Sequence, residues 1–294
     1  MGRPMLAPGL RVLRRSREQL QVGLLPRHRL LVPDTEPVRR TIDRLVRGEV
    51  LDDDPETREV LAALGPALVD GAGLTTPGAS AGDVAAAALL DPHGYAARLD
   101  ARRAATVAIA GDLGPALDPR PLLAAAGLPA GAERPPTVAL VLALGEVDRA
   151  SLDPLVRDGV PHLVVRLVEG TAVIGPFVHP GRTACLRCID AHHTIDDPQA
   201  ALLAARHALA HGDRRDGVAE PVDTALATLA VAWAVRDLVT HVDGARPSTW
   251  SATVELAPTL QPIISAEWLR HPACGCGWGP ATLPTEGSSR TMAG

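Results

Sequence analysis

The chain contains no lysine, although its 294 residues include 29 basic side chains. Every basic side chain is therefore an arginine, which excludes any mechanism that depends on a lysine amine. Aromatic residues make up only 2% of the sequence, so the core must be built from Ala, Leu and Val. The net charge of −5 gives the whole protein no general attraction for nucleic acid or anionic lipid.

Long apolar runs are also missing. The longest stretch, Ala225 to Val235, is interrupted by Thr228 and closed by Arg236 and Asp237. Because a membrane-spanning helix needs about 20 apolar residues, this stretch predicts a buried helix instead. Residues 1–10 show no apolar segment of the secretory type. We therefore expect a cytoplasmic protein without a membrane partner, in which thiols stay reduced.

Residues 1–76 have the pattern of a small module. Three short runs of β-forming residues are separated by turn residues and followed by two segments with helical spacing. The strands are predicted at Leu10–Arg14, Gln19–Leu24 and Arg27–Val32, and the helices at residues 38–46 and Pro55–Leu64. Thr35 is a plausible N-cap of the first helix. Three strands followed by helices predict a winged-helix-like module.

Residues 77–104 are predicted to form a linker and a helix, and residues 281–294 a flexible tail. Between them, residues 105–280 alternate strands and helices, which predicts a parallel sheet with helices on both faces. The strands are predicted at Thr106–Ala110, Thr137–Leu144, His162–Val168, Ala172–Val178, Ser251–Leu256 and Pro262–Ala266. The helices are predicted at Pro115–Ala126, Ser151–Arg157, Pro198–His211 and Pro221–Val242.

The four cysteines form two tight pairs, Cys185 with Cys188 and Cys274 with Cys276. Four thiolates suit tetrahedral Zn²⁺ and leave no open position for water, so the pattern predicts a structural zinc site. Two unrelated pairs of buried or redox thiols remain an alternative. A nearby histidine could also replace one thiolate; the candidates are His179, His192, His193 and His271.

Two segments carry a resemblance to a known family. They read Gly175-Pro-Phe-Val-His-Pro-Gly-Arg-Thr-Ala-Cys-Leu-Arg-Cys188 and His271-Pro-Ala-Cys-Gly-Cys-Gly-Trp278. Both resemble the ThiF/MoeB-like family, and within it the actinobacterial cyclodehydratase branch that accompanies thiazole/oxazole-modified peptide biosynthesis. The resemblance implies a Rossmann-type sheet, zinc on the four cysteines and a homodimer. It also implies an N-terminal module that binds a precursor leader peptide and presents the precursor to a YcaO-type enzyme, which performs the ATP-dependent chemistry.

Adenylating members of that family need a Gly-rich turn, an acidic residue after the second strand, and a lysine and an arginine at the phosphates. The corresponding turn here is Ile109-Ala-Gly111-Asp-Leu-Gly114, in which the first glycine is replaced by isoleucine. Asp112 adds a negative charge where phosphates would lie. A Pro/Gly loop, Gly127 to Pro136, stands in place of the second strand's acidic end, and lysine is absent. We therefore expect no bound ATP and no catalytic residue.

Leader recognition of this kind resembles β-augmentation, in which an extended peptide adds to an edge strand. The candidate edge is Arg27–Val32 and the neighbouring helix is Thr57–Leu64. The candidate pocket residues are Leu30, Val32, Val60 and Leu64. Sequence alone leaves open whether these four side chains line a groove or fill the core.

Three other interpretations stay in view. The chain could be an active adenylating enzyme, or a winged-helix DNA-binding regulator, since eleven arginines against five acids precede residue 50. Acids from Asp52 to Glu59 would repel DNA phosphates at the second helix, so we expect no nucleic-acid partner, and the arginines are a solvated face or contacts for an acidic leader. His192 and His193 lie near acids that suit a metal or acid–base cluster, or a helix cap; these are Asp190, Asp196 and Asp197.

Overall fold

The computed structural model describes residues 3–71, 74, 78–131, 136–210, 216–218 and 220–276. These residues form two compact units. Unit 1 holds the described residues up to Thr106, together with Arg120–Ala130 and Val239–Ala245. Unit 2 holds Val107–Pro119 and the described residues from Gly131 to Leu238 and from Arg246 onward. The predicted tail, residues 281–294, lies outside the described part of the chain.

Unit 1 contains a three-stranded antiparallel sheet in the order β2-β3-β4 and a separate antiparallel pair, β1 with β5. The strands are β1 (Pro4–Leu6), β2 (Val12–Arg14), β3 (Gln19–Val22), β4 (Leu30–Pro33) and β5 (Leu68–Asp70). The helices are α1 (Glu36–Arg47), α2 (Pro55–Leu64), α3 (Ala81–Leu90), α4 (Tyr95–Ala104) and α5 (Arg120–Ala125).

Local sequence features set the ends of the two helices that pack on the three-stranded sheet. Gly48 ends α1 in the left-handed conformation, and the Asp54 side chain accepts a hydrogen bond from the Thr57 amide at the start of α2. Apolar side chains from β3, β4, α1 and α2 then share one core. Its buried members are Leu6, Leu20, Val22, Val32, Val38, Ile42, Leu45, Val60, Leu64 and Ala67.

The segment after this module forms two helices rather than one. The Asp91 side chain accepts the Gly94 amide at 2.9 Å, and this turn separates α3 from α4. Both helices belong to the same compact unit as the three-stranded sheet. The predicted division into a module ending at residue 76 and a linker–helix segment stays a prediction, and residues 72–73 and 75–77 of that linker lie outside the described residues.

Unit 2 is built on a six-stranded sheet in the order β11-β10-β9-β8-β7-β6. Its strands are β6 (Val107–Ala110), β7 (Val138–Leu144), β8 (His162–Val168), β9 (Thr171–Val178), β10 (Ala252–Leu256) and β11 (Ile264–Glu267). Its helices are α6 (Asp153–Arg157), α7 (Leu186–Asp196), α8 (Ala200–Leu209) and the greater part of α9 (Thr224–Val242).

The sheet is mixed, whereas the sequence predicted a parallel one. Strands β6, β7 and β8 are parallel neighbours, but the pairs β8–β9, β9–β10 and β10–β11 are antiparallel. The direction changes at Glu169-Gly170, a two-residue connection in which both residues have positive φ. Such a connection turns the chain back on itself as a hairpin, because a parallel crossover needs a dozen or more residues.

Helix α9 is long and apolar enough to cross a membrane by composition alone, with a mean hydropathy of 1.3 over an 18-residue window. Half of that window is buried inside the protein. Asp237 lies within the helix and accepts hydrogen bonds from the amides of Ser248 and Thr249, both at 2.9 Å. The helix is therefore packed as a core helix, as the sequence predicted.

Candidate metal centre and peptide-binding edge

The structure brings the four cysteines together into one cluster. The Cys185 Sγ lies 3.8 Å from Cys188 Sγ and 3.5 Å from Cys274 Sγ, and Cys188 Sγ lies 3.4 Å from Cys276 Sγ. All four sulfur atoms lie within 4.8 Å of one another. The first pair is buried and the second is partly buried. The cluster could hold a metal ion.

The sulfur separations fit a tetrahedral ion. Zn–S bonds of about 2.3 Å in a regular tetrahedron place the sulfur atoms about 3.8 Å apart. Three of the six separations, at 3.4–3.8 Å, lie at or just below that value, and the other three are no longer than 4.8 Å. No further histidine or carboxylate among the described residues joins the four sulfurs. Four thiolates and no open position are typical of a structural rather than a catalytic zinc site.

Helix α7 positions the first cysteine pair. Cys185 is its N-cap and Cys188 lies in its first turn, with the Cys188 amide bonded to the Cys185 carbonyl at 3.0 Å. The positive end of the helix favours thiolates at these positions. The Cys185 thiol donates to Cys188, and this bond lowers the pKa of Cys188 and raises that of Cys185, while burial raises the pKa of Cys276 to about 12. Without a metal, therefore, only Cys188 of these three is held as a thiolate. Metal ligation requires this deprotonated form.

A 3₁₀ turn, Pro272–Cys274, followed by Gly275 in the left-handed conformation, positions the second pair. This glycine conformation lets two cysteines one residue apart face the same point. Ser251 connects the two pairs: its hydroxyl accepts the Ala184 amide at 2.9 Å and donates to the Trp268 carbonyl at 2.7 Å. Sequence reasoning missed Ser251 and Trp268, because nothing in their spacing marks them.

The histidines near the cluster serve as packing partners. His192 contacts the Leu269 carbonyl at 2.9 Å through Nε2, and its ring lies edge-on to that of His271 at 5.0 Å. His193 packs on Trp268 at 5.1 Å. None of these histidines belongs to the group of four sulfurs. Asp196 and Asp197, which were expected to start the helix after Pro198, lie instead at the end of α7.

Charged side chains fill the carboxyl side of β7 and β8. Glu146 accepts Arg166 at 2.5 Å and Arg149 at 2.7 Å, and Arg149 forms two 2.8 Å bonds with Asp190 of α7. Burial acts to raise the pKa of Glu146, but the two guanidinium groups outweigh it and the pKa lies below its usual value. Open α/β sheets bind ligands at this edge, and here an internal ion network occupies it.

The turn after β6 also offers little to a phosphate group. Gly111 has a φ of +84°, and a Cβ there would lie 1.9 Å from the Leu142 carbonyl oxygen. The Gly114 amide, which a phosphate would use, already donates to Asp112 Oδ1 at 2.7 Å. Pro115 follows and has no amide hydrogen to offer. Both features disfavour phosphate binding at this turn.

Three of the four residues predicted to line the peptide groove are core residues. Val32, Val60 and Leu64 are 3%, 4% and 0% exposed, so their side chains offer no surface to a peptide. Leu30 is half-buried and packs against the same core. Because successive side chains of β4 alternate between the two faces of the sheet, the side chain that faces outward is Leu31, which is 46% exposed.

Strand β4 has one free edge. The hydrogen bonds of the neighbouring strands show which backbone groups of β4 point toward that edge. The Asp34 amide bonds to the Glu18 carbonyl at 2.8 Å, and the Arg15 amide to the Gln19 carbonyl at 2.9 Å. Even-numbered residues of β3 therefore bond toward β4, and odd-numbered ones toward β2. It follows that the amide and carbonyl of Leu31 point away from β3. No described strand pairs with β4 on that side.

Most of the chain is similar in fold to solved structures. A heterocyclase in complex with substrate and cofactor has a TM-score of 0.67 and 16% identity over 94% of this chain. The heterocyclase TruD has a TM-score of 0.68 and 18% identity, also over 94%. The chain has their fold. It spans only 40% and 43% of the lengths of those two proteins.

The same fold occurs in E. coli MccB solved with ATP, with a TM-score of 0.59 and 13% identity. That match covers 93% of this chain and 99% of MccB. No protein-family model matches the sequence, and no curated protein matches it. At these identities the likeness establishes the fold shared with TruD and MccB.

Proposed function

We propose that this chain is a non-catalytic scaffold of thiazole/oxazole-modified peptide biosynthesis, with a structural zinc ion on Cys185, Cys188, Cys274 and Cys276. It binds a precursor leader peptide and presents the precursor to a YcaO-type cyclodehydratase. The fold of a heterocyclase solved with its substrate supports this role. The observation that carries it is the free edge of β4, whose Leu31 amide and carbonyl face away from the sheet.

The leader peptide would add as a strand beside β4. Within β4 the outward backbone groups belong to Leu31 and Pro33, and Pro33 has no amide hydrogen. Leu31 is thus the single outward donor of the strand, and a peptide carbonyl must align with it. Zinc, where bound, supplies only a cross-link between the two cysteine segments of unit 2, and this cross-link stabilises the scaffold.

Replacing Leu31 with proline tests strand addition directly. Proline is tolerated at an outward-facing edge position, so Leu31→Pro should fold while removing the one edge donor. We expect affinity for the leader peptide of a precursor encoded beside this gene to fall about ten- to hundredfold, because one peptide carbonyl is left unsatisfied. Fluorescence anisotropy with the labelled leader measures this.

Leu31→Ala is the matched control, since it shortens the same side chain and keeps the amide. It should bind the leader with an affinity within a few-fold of the unmodified chain. Equal binding by Leu31→Pro and Leu31→Ala would rule out addition at β4. Failure of the unmodified chain to associate with either the leader or the YcaO-type protein would reject the proposed function.

An active adenylating enzyme is the second candidate, because MccB with ATP shares the fold over nearly its full length. The Asp112 carboxylate on the Gly114 amide and the ion network around Glu146 disfavour it. We expect isothermal titration of ATP with Mg²⁺ into the purified chain to give no saturable heat. Saturable binding, together with peptide-dependent pyrophosphate exchange, would favour the enzyme instead.

A further inference from the structure

Strand β11 is the outer strand of the six-stranded sheet, and no described strand pairs with its other side. Three of its four residues are exposed, and they include residues on both faces of the sheet. Proteins usually protect such an edge with proline, a basic residue or a bulge, because its unpaired backbone groups attract another strand. Strand β11, Ile264-Ser-Ala-Glu267, has neither proline nor a basic residue, and its register with β10 is regular. This edge is therefore open to a further strand.

The hydrogen bonds between β10 and β11 show which backbone groups point to the open side. The Trp268 amide donates to the Ser251 carbonyl at 2.7 Å, which continues the antiparallel register of the two strands. Because bonded residues alternate along the ladder, the even-numbered residues of β11 bond toward β10. The amides and carbonyls of Ser265 and Glu267 therefore point away from β10. Strand β11 offers two outward donors, whereas β4 offers one.

The outward groups of β11 are complementary to those of a second copy of the chain. If two β11 strands run antiparallel with Ala266 opposite Ala266, Ser265 of each copy lies opposite Glu267 of the other. Each of these two pairs exchanges two backbone hydrogen bonds. A register centred on Ser265 would pair only Ser265 with Ser265 within the strands, and would form half as many bonds. Ala266 is thus the best centre for a two-fold axis, and the pairing is closed because each copy uses the same strand.

The side chains also match in this register. Ser265 and Glu267 share one face, so each Ser265 hydroxyl can donate to the Glu267 carboxylate of the other copy. The two carboxylates lie at opposite ends of the paired strands and do not face each other. On the other face the small Ala266 side chains meet at the axis. Ile264, which is 50% exposed, lies opposite Trp268 of the second copy and gains an apolar contact there.

We infer that the chain forms a two-fold symmetric dimer in which two β11 strands pair antiparallel about Ala266. This pairing joins two six-stranded sheets into one sheet of twelve strands. The occupant of the open β11 edge is therefore a second copy of this chain. The inference goes beyond the proposed function, which uses β4 of unit 1, and does not depend on leader binding.

Replacing Ser265 with proline tests the pairing, because proline removes an outward donor and leaves the bonds to β10 in place. We expect the unmodified chain to be a dimer by size-exclusion chromatography with light scattering. Ser265→Pro should raise the dimer dissociation constant about tenfold or more in analytical ultracentrifugation, since each dimer loses two backbone bonds. Ser265→Ala is the matched control, because it keeps the amide, and should change the constant only a few-fold. Zinc content and leader binding should be equal in all three proteins.

A cysteine at the two-fold axis gives a second measurement that does not require proline to be tolerated. In the inferred pairing the two Ala266 Cα atoms lie about 4.5 Å apart, within the range of a disulfide. Ala266→Cys should therefore form a covalent dimer on mild oxidation with diamide, seen by non-reducing electrophoresis. Ile264→Cys, on the same face of the same strand, should not, because Ile264 lies opposite Trp268 and far from its own copy.

Three results would overturn the inference. The first is an unmodified chain that is monomeric. The second is a dimer that Ser265→Pro does not weaken, since copies would then meet elsewhere, for example through the exposed leucines of α8. The third is equal cross-linking of Ala266→Cys and Ile264→Cys, which excludes a two-fold axis at Ala266. Each of these results leaves the Leu31→Pro experiment unchanged, so the dimer and the proposed function stand or fall separately.

Discussion

Replacing Cys188 with serine is expected to release the metal and lower the free energy of unfolding by more than about 4 kcal/mol. Cys188 is fully buried and contacts the sulfurs of both Cys185 and Cys276. A serine hydroxyl is a poor ligand for a thiolate zinc site, and the remaining three thiols are insufficient to close it. Zinc content by mass spectrometry and equilibrium unfolding in urea measure the two effects.

The adjacent Arg187→Gln variant is the matched control. The Arg187 side chain is 44% exposed and pairs with Asp153 at 3.0 Å on the surface, so its loss should cost less than about 1 kcal/mol and leave zinc content unchanged. Removing the metal from the unmodified chain with a chelator should reproduce the Cys188→Ser stability. An unmodified chain without stoichiometric zinc would show that the four thiols do not form a structural zinc site.

The second large effect concerns the buried ion pair of unit 1. Arg102 of α4 makes two bonds to Asp243, at 2.7 Å and 2.6 Å, and both side chains are nearly inaccessible at 4% and 1% exposure. Asp243→Ala leaves a buried guanidinium whose one remaining partner among the described residues is the Ala126 carbonyl at 3.3 Å. We expect a loss of about 3–5 kcal/mol in the free energy of unfolding, measured by urea denaturation.

Two further variants decide the cause of that loss. Asp100→Ala removes the acid of an exposed pair with Arg103 on the same helix, and should cost less than about 1 kcal/mol. The double variant Arg102→Met/Asp243→Leu removes both charges, and should recover much of the stability lost in Asp243→Ala. If the double variant were as unstable as the single one, lost packing rather than an unpaired charge would be responsible.

Some parts of the fold were predictable because their local sequence pattern favours only one conformation. The strand predicted at His162–Val168 is β8 with identical bounds, since its Leu and Val residues, interrupted only by Arg166, are closed by Glu169-Gly170. The cysteine spacing likewise predicted that four sulfur ligands lie together, as they do. In these places a local pattern and the final packing require the same conformation.

Other parts depend on tertiary contacts that no local pattern reports. The sequence predicts only a metal or acid–base cluster or a helix cap for the second half of α7, where histidines and aspartates dominate. The helix is stabilised by burial of Leu186 and Ile189 and by the two bonds from Arg149 to Asp190. Such long-range partners override weak helix propensity.

The predicted peptide groove shows that sequence alone could not tell which side chains of β4 are accessible. Leu30, Leu31 and Val32 are consecutive apolar residues, so alternation identifies two faces but no polar side chain marks the outer one. The candidate residues Val32, Val60 and Leu64 lie on the face that the core occupies. Only the register with β3 shows that Leu31 is the accessible side chain.

The shortness of β4 also governs how copies of the chain meet. Two β4 strands joined antiparallel at Leu31 would exchange only the two bonds between these leucines, because Pro33 cannot donate. A single reciprocal pair is too little to propagate a ribbon of molecules. An open strand edge can therefore persist at high protein concentration without templating aggregation, and stays available to a segment that adds side-chain contacts of its own.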